Sequence, residues 1–460
     1  MKIHFIAIGG SAMHNLAIAL HLKGYEITGS DDEIFDPAKG RLEKYGLLPQ
    51  NIGWNPDAIT SDLDAVILGM HAREDNPELL KAKKLGIKIY SYPEFLYEQS
   101  KDKTRIVIGG SHGKTTITSM IIHVLQKLKR DCDYMVGAQL EGFEVMVKLS
   151  EEANIMIIEG DEYLTSPIDR RPKFHLYQPD IGIISGIAWD HINVFPTFEN
   201  YVEQFQIFAE MIPQNGTYIY CKDDDVLAKM SEKIAIKNKI PYSIPAYHIT
   251  NGTTFLETQY GDIPLQIFGK HNLANLNAAR HACLAVGVDE KDFYQAISSF
   301  KGASKRLELI AKSDSIAVYK DFAHSPSKLK ATIEAVREQF PNRKLLAFME
   351  LHTFSSLNED FLREYEGTMR GADASIVYYN FHALEHKRLP KLEKNIVKDF
   401  FNQENLDVFT DSKELIDKIL LHIESPSVYL FMSSGNFNGV DLNELGNKIV
   451  LLHTSKNNNN

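Results

Sequence analysis

Gly110-Ser111-His112-Gly113-Lys114-Thr115-Thr116 follows the apolar run Ile106-Val107-Ile108 and leads into an amphipathic segment that reads as a helix from about Ile117 to Lys127. A glycine-rich turn between a strand and a helix aims backbone N–H groups at phosphate oxygens. Lys114 adds a point charge for the β- and γ-phosphates, and the Thr115 hydroxyl is placed to ligate Mg²⁺. The stretch predicts a nucleoside triphosphate site built from Gly110, Ser111, His112, Gly113, Lys114, Thr115 and Thr116. It is shorter than the general G-x4-G-K-[ST] pattern, because Ile108 stands where that pattern has its first glycine. A second strand-like run, Ile155-Met156-Ile157-Ile158, ends in Glu159-Gly160-Asp161-Glu162. It puts a carboxylate at the carboxyl end of a neighbouring strand, where a hard, phosphate-bound cation would find it.

Outward from this centre, apolar runs of strand length alternate with helical patterns, the signature of parallel sheets covered by helices. At 460 residues the chain exceeds one core, since a domain holds roughly 150 residues. Three blocks are expected: 1–101, 102–301 and 302–460. The polar stretch Glu98-Gln99-Ser100-Lys101-Asp102-Lys103 reads as the first linker. The first block opens with a strand from His4 to Ile8, a turn at Gly9-Gly10-Ser11 and a helix to about Lys23. Its second strand, from Tyr25 to Gly29, ends at Asp31 and Asp32. That is a nucleotide-binding βαβ pattern with an acidic residue about 20 positions after the glycines, placed for a ribose hydroxyl. The strict G-x-G-x-x-G is absent. The third block carries strand-like runs from Ile316 to Tyr319, Leu345 to Phe348, Ser375 to Tyr378 and Val428 to Met432.

A net charge of −11 without a basic block argues against a nucleic-acid partner. No apolar stretch approaches the ~18 residues of a membrane span. Cys132, Cys221 and Cys283 are few and far apart, so a reducing, cytoplasmic setting is expected.

These motifs resemble the Mur ligases, ATP-dependent amide-forming enzymes of peptidoglycan assembly. The resemblance rests on the phosphate loop, Glu159-Gly160-Asp161-Glu162, Trp189-Asp190-His191, the run from Gly269 to Asn275, Lys305-Arg306-Leu307-Glu308 and Asp321-Phe322-Ala323-His324, in the family's order. It implies an α/β chain of three domains: an N-terminal Rossmann-like UDP-binding domain, a central P-loop ATPase domain and a C-terminal Rossmann-like domain for the amino acid or peptide. By resemblance, Lys114, Glu159 and His191 are catalytic, Thr115 and Glu159 hold one Mg²⁺ and His191 helps hold a second, Asn272 and Asn275 lie by ATP, and Arg306 and Asp321 reach phosphate and ribose. Gly9, Gly10, Ser11 and Asp31 would bind the UDP of UDP-N-acetylmuramate. Residue by residue, simpler readings stand beside these: His191 as a core or capping histidine, Asn272 as a helix cap, Arg306 as a surface ion pair, and His112 as either a phosphate contact or a brace for the turn.

The acceptor divides the family. Asp169-Arg170-Arg171-Pro172-Lys173-Phe174 and Asp190-His191-Ile192-Asn193-Val194-Phe195-Pro196 resemble the recycling member, which takes the tripeptide L-alanyl-γ-D-glutamyl-meso-diaminopimelate. His352-Thr353-Phe354-Ser355 resembles the member that adds L-alanine, although Ser356 replaces that member's usual arginine. The longer central stretch sets the tripeptide as the expected acceptor and L-alanine as the alternative, with a monomer or weak homodimer expected. A nicotinamide-dependent oxidoreductase and a non-catalytic nucleotide-gated binding protein are the remoter alternatives, and neither accounts for Lys114 together with Glu159.

Overall fold

The fold is taken from a computed structural model that describes residues 1–137, 139, 143–189, 194–303, 306–421, 423 and 425–457. The chain divides into two compact units, Met1–Pro245 with Ala274–Ile297, and Ala246–Leu273 with Ser298–Asn460. Among the described residues the strands form four sheets.

In the first unit, a parallel four-stranded sheet has the order Glu26–Ser30, Lys2–Ile6, Ala65–Leu68, Ile89–Ser91. A seven-stranded sheet follows, in the order Asn238–Tyr242, Thr217–Cys221, Ile181–Ile184, Thr104–Gly109, Ile155–Glu159, Asp133–Met135, Val147–Lys148. All its pairings are parallel except that of the last two strands. Strands buried on both faces read as unbroken apolar runs, and Ile106, Val107 and Ile108 are completely buried. One hydrophobic core runs from Phe5 of the first sheet and Leu16 of the helix Ser11–Leu22 to Val107 and Tyr218 of the second sheet and Phe174 of the short helix Lys173–Leu176. The order of the larger sheet puts a switch point beside Thr104–Gly109: the next three strands in the chain, ending with the adjacent Ile155–Glu159, lie to one side of it, and the chain then crosses to the other with Ile181–Ile184. Loops at the carboxyl ends of such strands diverge and leave a crevice for a ligand.

In the second unit, an antiparallel three-stranded sheet (Tyr247–Thr250, Thr253–Thr258, Gly261–Leu265) accompanies a six-stranded one. The latter is parallel except at its Glu308–Lys312 edge, and apolar clusters around Val336 and Met349 on one face and Phe348 and Tyr429 on the other bury it.

Two local readings need correction. The helix after the phosphate loop is Lys114–Lys127, beginning three residues before Ile117, because Gly113 at φ 80° turns the chain directly into it. The segment expected as a linker is helical as far as Ser100. Ser91 and Glu94 form a capping box that starts the helix Tyr92–Ser100, whose last turn is half-buried at Glu98 and Gln99 and buried at Ser100. Only residues 101–103 then connect it to the next strand, and Arg105 clamps them. Its guanidinium donates to the carbonyls of Ser100 (3.0 Å), Lys101 (2.8 Å), Lys103 (2.8 Å) and Gln178 (2.8 Å) and pairs with Asp180 at 3.0 Å. It thereby satisfies carbonyls that a helix end leaves without partners.

In the first sheet, Glu78 sits in the first turn of the helix Pro77–Leu85, fully buried. It accepts from Ser30 Oγ (2.5 Å) and Asn55 N (2.5 Å) and lies 3.4 Å from His4 Nε2. Burial alone would raise its carboxyl, but His4, Ser30 and the Asn55 N–H outweigh that and hold it below its ordinary value of 4.5. A depressed folded value means that Glu78 stabilises the fold above that ordinary value and that the contribution is lost as pH falls through the folded value. Glu78→Gln should therefore cost about 1–3 kcal/mol at neutral pH. It should also flatten the fall in stability on acidification below the ordinary carboxylate value, both read from denaturant midpoints across pH.

Candidate active site

Three loops converge at the switch point. The turn at residues 110–113 leaves the strand Thr104–Gly109, Glu159 ends the adjacent strand on one side, and Ser185 follows Ile181–Ile184 on the other. Gly110 has φ 129°, and a Cβ there would stand 2.1 Å from Ser185 Oγ; a Cβ at Gly113 would stand 2.3 Å from Asn275 Oδ1. Both positions accept only glycine without rearrangement. Ser111 N donates to Gly186 O at 3.0 Å, Ser185 Oγ donates to His112 O, and the His112 ring Nδ1 lies 2.6 Å from Ser111 O. That contact is made with the loop's own backbone. Thr115 and Thr116 are buried in the first turn of the helix.

Lys114 Nζ donates to Glu162 at 2.6 Å and to Gly110 O at 2.7 Å. Burial pushes its ammonium down, but Glu162, Asp161 and Glu159 outweigh it and hold the group above its ordinary value. Glu162 also accepts from Tyr201 OH (3.2 Å), which lies 2.9 Å from Ser111 Oγ, which in turn accepts from Ala188 N at 2.9 Å. Glu159 accepts from Thr115 Oγ1 and from Gly137 N, both at 2.9 Å. Burial nonetheless raises its carboxyl, and a bound cation would reverse that shift. Thr115 and Glu159 are hard oxygen donors side by side, the chemistry that suits Mg²⁺. Beside them, Asp161 takes Lys173 Nζ at 2.5 Å and Tyr163 N at 3.1 Å; against burial, Lys173 and Lys114 hold it low.

A cavity of about 880 Å³ joins this centre to the glycine turn of the first sheet, with Lys114 and Glu159 along one stretch of wall and Gly9, Gly10, Ser11 and Asp31 along another. Asp31 Oδ2 accepts from Gly9 N at 2.7 Å and Oδ1 from Asp32 N at 2.9 Å. Burial raises Asp31 in spite of the Gly9 N–H. A Cβ at Gly9 would stand 2.9 Å from Asp31 Oδ2, so the turn and its acidic partner are built as one piece.

The remaining residues expected at the site fall as follows. Asn275 packs against Gly113 within the first unit. Asn272, Arg306 and Asp321 belong to the second unit. Asn272 lies in the first turn of the helix Lys270–Ala285 and its amide donates to Phe268 O at 3.0 Å. Arg306 is half-buried and lies over the Phe322 ring, 4.8 Å from its centroid. Asp321 is buried and accepts from Leu307 N (2.7 Å), Ala323 N (2.8 Å) and Thr332 Oγ1 (3.2 Å). His191, with Asp190, Ile192 and Asn193, lies outside the described residues. Sequence reasoning missed Ser185 and Tyr201, which carry no local motif, and gave no role to Glu162, although its place three residues after Glu159 was a signal. Gly113→Ala should cost about 1–3 kcal/mol of stability through its positive φ and the Asn275 clash, and should weaken ADP binding measured by calorimetry.

Three family profiles match in chain order: the Mur ligase family catalytic domain over residues 2–104, the Mur ligase middle domain over 108–283 and the Mur ligase glutamate ligase domain over 305–435. The UDP-N-acetylmuramate–L-alanine ligase of Caldicellulosiruptor bescii is 34% identical over 393 residues, 82% of this chain and 83% of that protein. Among solved structures, the UDP-N-acetylmuramate–alanine ligase MurC of Thermotoga maritima matches with a TM-score of 0.71 at 20% identity, covering 99% of this chain and 100% of its own. The murein peptide ligase Mpl of Psychrobacter arcticus matches at 0.63 and 22%, covering 98% of each. With a phosphate loop set in this way, and with matches along nearly its whole length, the chain belongs to the Mur ligase family of ATP-dependent acid–amino-acid ligases.

Proposed function

We propose that this chain activates the lactyl carboxylate of UDP-N-acetylmuramate with ATP and joins it to an amine acceptor in peptidoglycan synthesis, in the cytoplasm. The single observation that carries this reading is the shared cavity, which gives a glycine turn suited to a nucleotide diphosphate and a phosphate loop a common space. A carboxylate does not condense with an amine in water because hydroxide is a poor leaving group. A carboxylate oxygen attacks the γ-phosphorus, the bond to the β–γ bridging oxygen breaks, and ADP leaves an acyl phosphate. The acceptor's unprotonated amine attacks the acyl carbon, phosphate departs with the bonding pair, and the nitrogen loses its proton.

In this scheme Lys114 and the N–H groups at residues 110–116 hold the transferring phosphoryl group, and Thr115, Glu159 and His191 would hold Mg²⁺, which supplies charge neutralisation. Asn272 and Asn275 take the adenosine end, and Gly9, Gly10, Ser11 and Asp31 take the UDP. Arg306 and Asp321 reach phosphate and ribose from the C-terminal domain, with domains at 1–101, 102–301 and 302–460. Asp321 fixes Leu307 in a left-handed conformation at φ 45°, and so aims the neighbouring Arg306.

The relatives favour L-alanine as the acceptor: the curated relative at 34% identity and the solved structure at a TM-score of 0.71 both bear that name. A specific observation keeps the tripeptide as second reading. Ser356, where the L-alanine-adding member usually carries arginine, is fully buried and spends its hydroxyl on Thr353 O at 3.1 Å, leaving no cation at that position.

Phosphate release with ATP, Mg²⁺ and UDP-N-acetylmuramate, comparing L-alanine with the tripeptide and identifying product by mass spectrometry, tests both. L-alanine turnover is expected, tripeptide-only turnover moves the protein to recycling, and release with neither acceptor overturns the ligase reading. Asp321→Asn should raise KM for ATP about 10-fold and KM for the sugar nucleotide much less; equal effects would remove Asp321 from the ATP site.

A further inference from the structure

A cation in the cavity wall beside the first glycine turn has no part in the scheme above. Arg41 lies half-buried in the short helix Ala38–Lys44 and lines the cavity together with His14 and Gln139. Its guanidinium reaches both: one Nη donates to His14 Nε2 at 3.3 Å and the other to Gln139 Oε1. Among the described residues no carboxylate stands within ion-pair distance of it. Lys44, three positions on in the same helix, does pair with a carboxylate, that of Glu144.

The glycine turn itself fixes the His14 side of this arrangement. His14 is 2% exposed, and its Nδ1 lies 2.9 Å from Gly10 O, which can only accept. Nδ1 therefore carries the proton, and Nε2 offers the lone pair that takes Arg41. Burial lowers the imidazole against the pull of the Gly10 carbonyl, and Arg41 lowers it further, so the ring is neutral at neutral pH. Asn15 Nδ2 donates to the same Nε2 at 3.1 Å and to Ser11 O at 2.7 Å, while its Oδ1 accepts from Met146 N at 2.9 Å. Arg41 is thus oriented from Gly10 through a neutral ring, with its charge left uncancelled.

A guanidinium held by neutral groups keeps that charge for a further partner, and its flat fork matches two phosphate oxygens. The wall around it otherwise carries Asp31, Asp32, Glu33 and Asp36, which repel an anion, so an anion that settles here needs Arg41. We infer that Arg41 binds the diphosphate of the sugar nucleotide, positioned by His14. The inference rests on the proposed UDP-N-acetylmuramate reading and adds the side chain that meets the ligand's charge. The lactyl carboxylate is the less fitting partner, because Arg41 is tied to Gly10 while the carboxylate must reach the phosphate loop at Lys114, along another stretch of wall.

Calorimetric binding of UDP, UDP-N-acetylmuramate, UDP-N-acetylglucosamine and ADP to the full chain and its variants provides the test, with thermal midpoints recorded alongside. Arg41→Gln should weaken all three uridine ligands by a common factor of roughly 10 or more, the strength of a hydrogen bond to a charged group. ADP binding and the midpoint should be unchanged. Arg41→Lys keeps the charge without the fork and should show a smaller loss of the same pattern. His14→Phe should weaken the uridine ligands by itself and add nothing to Arg41→Gln, as expected of a residue that acts through the arginine; additive losses would remove its positioning role. A merely structural Arg41 would lower the midpoint and weaken ADP with the rest. Unchanged UDP affinity in Arg41→Gln, a loss shared equally by ADP, or a loss confined to UDP-N-acetylmuramate overturns the inference while the ligase reading stands. A wild-type chain that binds none of the uridine ligands overturns both.

Discussion

The ammonium of Lys114, sunk between Gly110 O and Glu162, is the constraint around which the central sheet is arranged. A buried cation is tolerated only when paired and hydrogen-bonded. Glu162 supplies the charge, and Tyr201 and Ser111 hold Glu162 in turn. The strand order brings three loops to one point, and the loop glycines let Ser185 and Asn275 close against the turn. Phosphate would then find the lysine already charged and aimed, which is how positioning substitutes for reorganisation during phosphoryl transfer.

Glycine turns at the two ends of the cavity share one construction. Each is closed by a polar side chain standing where a Cβ would go: Asp31 against Gly9, Asn275 against Gly113. Neither turn is free to collapse onto its own N–H groups, and Gly9 keeps its shape by donating to Asp31. The acidic residue after the second strand is thus already committed to the backbone on both oxygens, which a ribose-binding reading from spacing alone does not anticipate.

Most of the architecture was legible because parallel sheets buried on both faces leave unbroken apolar runs, such as Ile106-Val107-Ile108, and because glycine and lysine at fixed spacing carry a mechanism. Element ends were less so. A start at Ile117 followed the apolar periodicity, whereas Gly113 sets the true start of the helix; Glu98-Gln99-Ser100 looked like a linker because a polar last helical turn and a linker have the same composition. Contacts across the fold were not legible at all. Nothing near Arg306 in the chain points to the Phe322 ring.

The cavity wall beside the first glycine turn carries Asp31, Asp32, Glu33 and Asp36, with Arg41 as a cation among them, on a chain whose net charge is −11. On the proposed function, a nucleotide diphosphate approaching that rim would meet repulsion before it met the N–H groups of the turn. Over a Debye length of about 10 Å at 0.1 M salt, the long-range field slows the encounter and the short-range donors retain what arrives. Added salt should then hasten capture, the opposite of the behaviour of a basic nucleotide funnel, and the residence of such a ligand rather than its rate of arrival would carry the affinity.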